Sequence, residues 1–202
     1  MAVPTREQCM GILRDAGCEE NVVQHCQLVE AVALGFAKAI NERHHGLVNE
    51  QLVTAGALLH DLGRAKTHDI EHVVSGVQMA QELDVDPFVV EIIRKHVGGG
   101  LTPNDADQLG LPTWNMMPST WEEKVVNHAD SLVGARGRRT IKKTLKHIRK
   151  VGTPNWYKRV GEMHRHLSGM AETDLDLVGP WTLPRVSHLS RDTGATRFFK
   201  DI

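Results

Sequence analysis

The sequence predicts an all-α fold. Three observations carry this expectation. Val, Ile and Leu recur at three- and four-residue spacing through most of the 202 residues, the pattern of helices with one buried face. No stretch shows the period-two alternation of a half-buried strand. Gly17, Pro87, Gly98 to Gly100 and Pro154 punctuate the periodic segments where helices should stop and start.

Taken in order, residues 5–16 form a short first helix, stopped near Gly17. Residues 19–42 form a long second helix with the apolar stripe Val22, Val29, Val32 and Phe36, and His25 lies in that stripe. Residues 41–46 break it, and a third helix over 48–61 ends at Gly63. A fourth covers 70–83, with His72 in its first turn. Pro87 suits the first turn of a fifth, which runs to about His96 and is ended by three glycines. Residues 101–118 hold three prolines and read as a loop, with one helical turn at 104–109. Ser119 and Thr120 precede Glu122 and Glu123, a helix start with acids at the positive end of the dipole. That helix carries Asp130 to about Val133, and Gly134 and Gly137 interrupt it. Further helices cover 140–151 and 154–170. The expected division is a helical domain over 1–170 with its core at about 20–135, and an extended arm over 171–202. In that arm Trp181, Leu183, Phe198 and Phe199 are available to seal the domain or to join two copies, so oligomeric state stays open.

Composition narrows the class. Apolar residues make up 41% and charged residues 24%, enough for a sizeable core. A net charge of −1 gives no global pull toward nucleic acid or membrane, and no apolar run approaches the ~20 residues of a membrane span. Cys9, Cys18 and Cys26 form no CxxC, lack a signal-peptide core before them, and suit buried thiols in the cytoplasm.

The stretch with most chemical content is Ala57-Leu58-Leu59-His60-Asp61-Leu62-Gly63-Arg64. A histidine and an aspartate sit side by side at the end of an apolar run. His25, His96 and Asp130 occupy core-facing positions on other helices. A buried imidazole or carboxylate is costly unless something satisfies it. One alone is more often a hydrogen-bonded core residue, but several helices each bringing one point to a shared ion. Adjacent helical residues point about 100° apart, so His60 and Asp61 reach one ion only beyond the helix end. Imidazole plus carboxylate favours a divalent first-row ion, Mn, Fe, Co, Ni or Zn, and the absence of cysteine ligands argues against a closed structural zinc site.

The order His25, His60-Asp61, Asp130 on a helical chain resembles the HD superfamily of metal-dependent phosphohydrolases. His60 to Arg64 is similar to that family's HD-hydrophobic-Gly-basic variant, and His128 to Leu132 to its terminal aspartate segment. The resemblance spans about residues 20–135 and implies an HD-type helical bundle. It implies metal ligation by His25, His60, Asp61 and Asp130. His72 and His96 fall where the two-metal branch holds its second ion, with Asp61 bridging. Val97 departs from the pattern, standing where many members carry a second histidine.

The same resemblance implies hydrolysis of a phosphomonoester or phosphodiester of a small nucleotide-like substrate by metal-activated water. Asp61 would orient the nucleophile and Arg64 would contact the phosphate. Lys66, Gly98 and Gly99 are further candidates for substrate contact. Three other readings stand beside it: a mononuclear nucleotidase, a di-iron oxygenase on the same scaffold, and a non-catalytic nucleotide- or RNA-binding module. Eight of the chain's 24 basic residues lie between Arg136 and Lys150 with no acid among them, which leaves the rest distinctly acidic against 25 acids. This run either steers an anionic substrate or RNA toward Asp130 or is a solvated helix face. His68 and His128 are not expected as ligands, and His44, His45, His147, His164 and His166 read as surface or loop residues.

Overall fold

A computed structural model describes residues 2–152 and 154–182. Helix α1 (Arg6–Asp15) opens with a capping box between Thr5 and Gln8. Helix α2 (Glu20–Arg43) is 24 residues long and buries Val22, Val29, Val32, Phe36 and Ile40 along one stripe. Helix α3 (Glu50–Leu59) is capped by Asn49, whose side chain accepts from the Leu52 amide at 3.1 Å. It stops before His60, and a 3-10 turn follows at Leu62–Ala65. Helix α4 (His72–Glu82) begins on His72 itself. Helix α5 (Pro87–Lys95) has proline in its first turn and His96 as its C-cap. Helix α6 (Pro103–Gln108) is the single turn expected in the proline-rich loop. Helix α7 (Trp121–Leu132) starts with a capping box between Thr120 and Glu123.

A two-residue hairpin follows, with β1 (Val133–Gly134) antiparallel to β2 (Gly137–Arg138) and Val133 opposite Arg138. The expected interruption at Gly134 and Gly137 is therefore a defined reversal, and Gly137 makes it at φ +105°. Helix α8 (Ile141–Val151) and helix α9 (Pro154–Ala171) complete the set.

The layers form around α2, which packs on α3, α7 and α9, while α5 packs on α3, α4 and α7. Phe36, Ile40, Leu58, Leu59, Leu62, Ile92, Ile93 and Leu132 are fully buried between them. A second apolar cluster of Val73, Leu101, Ala106, Leu111, Met116 and Trp156 holds down residues 101–118. Beyond α9 the chain is fastened by Arg138. Its guanidinium donates to the carbonyls of Leu175 and Val178 and lies between the rings of Phe36 and Trp181. The apolar residues Leu183, Phe198 and Phe199 of the expected arm lie outside the described residues. Within those residues no helix is long and apolar enough to cross a membrane.

Two local constraints decide where the site residues stand. A Cβ on Gly63 would run into the His72 carbonyl and stand 2.5 Å from the Gly76 nitrogen, so the 3-10 turn meets α4 backbone against backbone. Glu123 anchors the start of α7. It is 4% exposed, accepts from the Ser119 amide at 2.6 Å and pairs with Lys95 at 2.8 Å. Burial acts to raise its pKa, but Lys95 and the amides of Ser119 and Thr120 outweigh that and hold it low.

Gly63→Ala should cost about 3 kcal/mol or more, because neither contacting backbone group can yield, and the melting midpoint measures it. Glu123→Gln should destabilise by about 1–3 kcal/mol at neutral pH. The folded pKa is depressed, so this difference is full above the ordinary glutamate value of about 4.3 and vanishes as pH falls through the folded value. Urea titrations of both proteins at pH 7 and under acid conditions measure that loss.

Candidate metal centre

Five elements bring the predicted residues to one place. His25 comes from α2, His60 and Asp61 from the turn after α3, His72 from the start of α4, His96 from the end of α5, and Asp130 from α7. His60, Asp61, His72 and His96 are buried, and His25 and Asp130 are half-buried at the mouth.

The side chains form two donor sets that share Asp61. In the first, His25 Nε2 lies 3.2 Å from His60 Nε2, 3.0 Å from Asp130 Oδ1 and 3.7 Å from Asp61 Oδ2. His60 Nε2 lies 3.6 Å from Asp61 Oδ2 and 3.5 Å from Asp130 Oδ1. In the second, His72 Nε2 lies 3.1 Å from His96 Nε2 and 3.2 Å from Asp61 Oδ1, and His96 Nε2 lies 3.6 Å from the same oxygen. Atoms bound to one ion at about 2.1 Å stand roughly 3.0–3.4 Å apart in octahedral or tetrahedral geometry, close to these spacings. Asp61 turns Oδ2 to one set and Oδ1 to the other.

Hydrogen bonding sets the histidine tautomers. His60, His72 and His96 each direct Nδ1 at the carbonyl three residues earlier, Ala57, Asp69 and Ile93, each at 2.7 Å. A carbonyl only accepts, so Nδ1 carries a proton, and in the neutral ring the Nε2 lone pair faces the centre. His72 and His96 then oppose two lone pairs at 3.1 Å, an arrangement that a cation between them relieves. Asp61 Oδ1, buried and without a hydrogen-bond partner, faces the same point. Burial lowers the His96 pKa and favours its neutral, ligating form. Burial works to raise the pKa of Asp61, but His60, Arg64, His72 and His96 hold it well below the carboxylate range. Asp130 is held low likewise, against its burial, by His25 and His60. The donor chemistry fits one or two divalent first-row ions.

Arg64 donates from Nε to Asp61 Oδ2 at 2.8 Å and from Nη1 to the His68 carbonyl at 2.9 Å. It lines a cleft of about 420 Å³ whose floor holds Asp61, His72 and His96. Two substrate-side expectations need correction. Lys66 is exposed and lies outside the residues lining the cleft, because the 3-10 turn carries it away from the floor. Gly99 is also outside the lining, and a Cβ there would stand 3.1 Å from Arg159 and Val160. Its freedom serves close packing on α9. Gly98 does line the cleft, and a Cβ there would stand 3.0 Å from the Trp156 ring.

A model of the HD domain matches residues 22–135. The chain belongs to the HD domain family. An uncharacterized protein of Methanocaldococcus jannaschii is 41% identical to it over 158 residues, 78% of this chain and 88% of that one. A tRNA (cytidine(56)-2'-O)-methyltransferase of Thermoplasma volcanium is 34% identical over 174 residues, 86% of this chain and 50% of the relative. The chain thus spans about half the length of that enzyme and of its counterpart from Picrophilus torridus. Among solved structures, the HD domain of the L. monocytogenes phosphodiesterase PgpH superposes with a TM-score of 0.52 at 17% identity, covering 79% of this chain and 98% of that one. The shared feature is the HD fold.

The HD motif left about a third of the cleft lining unread. Arg136, Arg139, His147, Ile148, Val151 and Trp156 line it, and all lie beyond the matched segment. The acid-free run signalled the stretch from Arg136 to Ile148, and nothing in the sequence reading pointed to Val151 or Trp156. His164, read as a surface residue, is buried against His128 at 2.9 Å and faces Asp174 at 3.1 Å. Its position on the inner face of α9 carried that signal.

Metal analysis of the protein purified without chelator should find about two ions per chain. His72→Ala and His96→Ala should each hold about one while keeping a native circular dichroism spectrum. An unchanged metal count in both variants would remove the second ion from this account.

Proposed function

We propose that this HD-domain protein is a metal-dependent phosphohydrolase that cleaves a phosphoester of a nucleotide-like substrate. The observation that carries the reading is the division of one buried carboxylate, Asp61, between two histidine-rich donor sets at the floor of an open cleft. His25, His60, Asp130 and Asp61 Oδ2 would hold one ion, and His72, His96 and Asp61 Oδ1 the other. When bound, such ions supply Lewis acidity that makes water a competent nucleophile near neutral pH.

The chain's own residues account for the rest. Asp61 at the floor and Asp130 at the mouth supply the negative charge that would hold the ions, and their oxygens accept from and orient an attacking water. Arg64, at the edge of that floor, donates to phosphoryl oxygens as charge builds on them. Arg136 and Arg139 add positive charge higher in the cleft. Val22, Leu28, Ile148 and Trp156 form an apolar wall for a base and ribose, and they limit the water that reaches the phosphorus. Water oxygen bonds to phosphorus, the ester oxygen leaves, and that oxygen takes up a proton.

Several curated relatives are named for RNA chemistry. Ribonuclease Y of Acidothermus cellulolyticus is 32% identical over 119 residues, 58% of this chain and 20% of that enzyme. Two others are named for tRNA modification, although methyl transfer is a different reaction. Together they favour a ribonucleotide phosphoester.

Protein stripped with chelator and reloaded with Mn should hydrolyse bis(p-nitrophenyl) phosphate and a member of a nucleotide panel, with or without oxygen. Asp61→Asn should lower kcat/KM by at least 100-fold. A reaction that requires oxygen, or no hydrolysis with any first-row ion, would defeat the proposal.

A further inference from the structure

The basic run divides into three parts with different surroundings. Arg138 is buried, and its charge is taken up by the carbonyls of Leu175 and Val178. Arg136 and Arg139 line the cleft. Lys142, Lys143, Lys146, Arg149 and Lys150 are exposed along α8. Among the described residues, none of those four lysines forms an ion pair.

The opposite face of α8 is already in use. Thr144 is buried, Leu145 packs toward Gly161 of α9, and Ile148 packs on the cluster that holds Trp156 of α9. The helix therefore has no apolar face left to enter a lipid surface. His147, Ile148 and Val151 of the same helix form part of the cleft wall, so the lysine ridge runs onto the rim of the metal centre. Arg149, exposed, stacks over the half-buried ring of Tyr157 at 4.5 Å and donates to its hydroxyl at 3.1 Å, a flat platform beside the ridge. Helix α8 is about 16 Å long. The cleft, at about 420 Å³, is near the small end of ligand pockets and has room for the end of a strand, not its length. None of these ridge residues lies in the segment 22–135 that the chain shares with the HD family.

We infer that the substrate phosphoester is the end of a single-stranded polynucleotide, with the preceding phosphates lying along the lysines of α8 and a base stacked on Arg149 and Tyr157. The inference rests on the phosphohydrolase reading and specifies its substrate. Spaced lysines match a phosphate backbone without reading sequence, and a stacking platform accepts any base. The chemistry is the hydrolysis described above, with the terminal ester oxygen remaining on the strand.

The test compares wild type with the variant Lys142→Gln/Lys143→Gln/Lys146→Gln/Lys150→Gln, whose changes are all on exposed positions. Fluorescence anisotropy reads binding of a labelled ten-nucleotide strand ending in a phosphate. The variant should bind at least 10-fold more weakly. Its slope of log affinity against log salt should flatten by about 2–3, at roughly 0.7 per single-strand phosphate contact. KM for the strand should rise at least 10-fold while kcat/KM for bis(p-nitrophenyl) phosphate stays unchanged. A circular strand of the same length should bind and resist cleavage. Equal strand binding by the two proteins, cleavage of the circle, or binding to anionic phospholipid vesicles in preference to the strand would overturn the inference. If the Mn-loaded wild type hydrolyses neither bis(p-nitrophenyl) phosphate nor p-nitrophenyl phosphate, the phosphohydrolase reading fails, and with it the assignment of the strand as substrate. The binding slope then still decides whether the ridge holds a polynucleotide.

Discussion

The structure depends on a close approach between two backbones. At Gly63 the 3-10 turn after the HD pair lies directly on the first turns of α4, and Gly76 stands on the other side of the contact. Any side chain at Gly63 would separate them. The consequence reaches the chemistry, because His72 opens α4 and Asp61 precedes the turn. Their 3.2 Å separation exists only because no Cβ stands between the two elements. The glycine of the motif is thus a requirement of packing that becomes a requirement of the site.

Around that contact the protein gathers groups that resist being gathered. Three imidazoles are locked by carbonyls so that their lone pairs face inward, and a carboxylate oxygen among them has no donor. In a low-dielectric interior such an arrangement is costly without a cation. Arg64 supplies part of the positive charge from the edge. Metal binding to a preformed site of this kind would add to folding stability. Rigid elements hold the other side. Glu123 fastens the start of α7, and that helix presents Asp130 two turns later.

The HD segment supplies the floor of the cleft, and the chain beyond it supplies the walls. The hairpin after α7 turns the backbone so that Arg136 and Arg139 face the cleft while Arg138 is buried. That one inward arginine fastens the segment from Leu175 to Trp181 across α2. The His128–His164–Asp174 chain ties α7 to α9 and to the same segment. Differences in substrate between HD proteins have room to arise in these outer parts without disturbing the donor sets.

The sequence by itself determined the helices and the identity of the donors. Helix caps and periodic stripes are local, so Thr5 and Thr120 marked their helix starts and His25 and Asp130 were placed on buried faces. The HD-Gly pattern, with His72 and His96 in order, named all six residues that the structure brings together. Only the tertiary structure decided which nearby polar groups share the cleft. Lys66 is five residues from Asp61 and points away, while Arg139 and Trp156 are far along the chain and line the same cleft. It also decided that His164 is buried, that a hairpin follows α7, and that one face of the basic run is exposed beside the rim. Periodicity reports which face of an element turns inward. It carries no information on which other element that face meets, and distances across the cleft are set by that meeting.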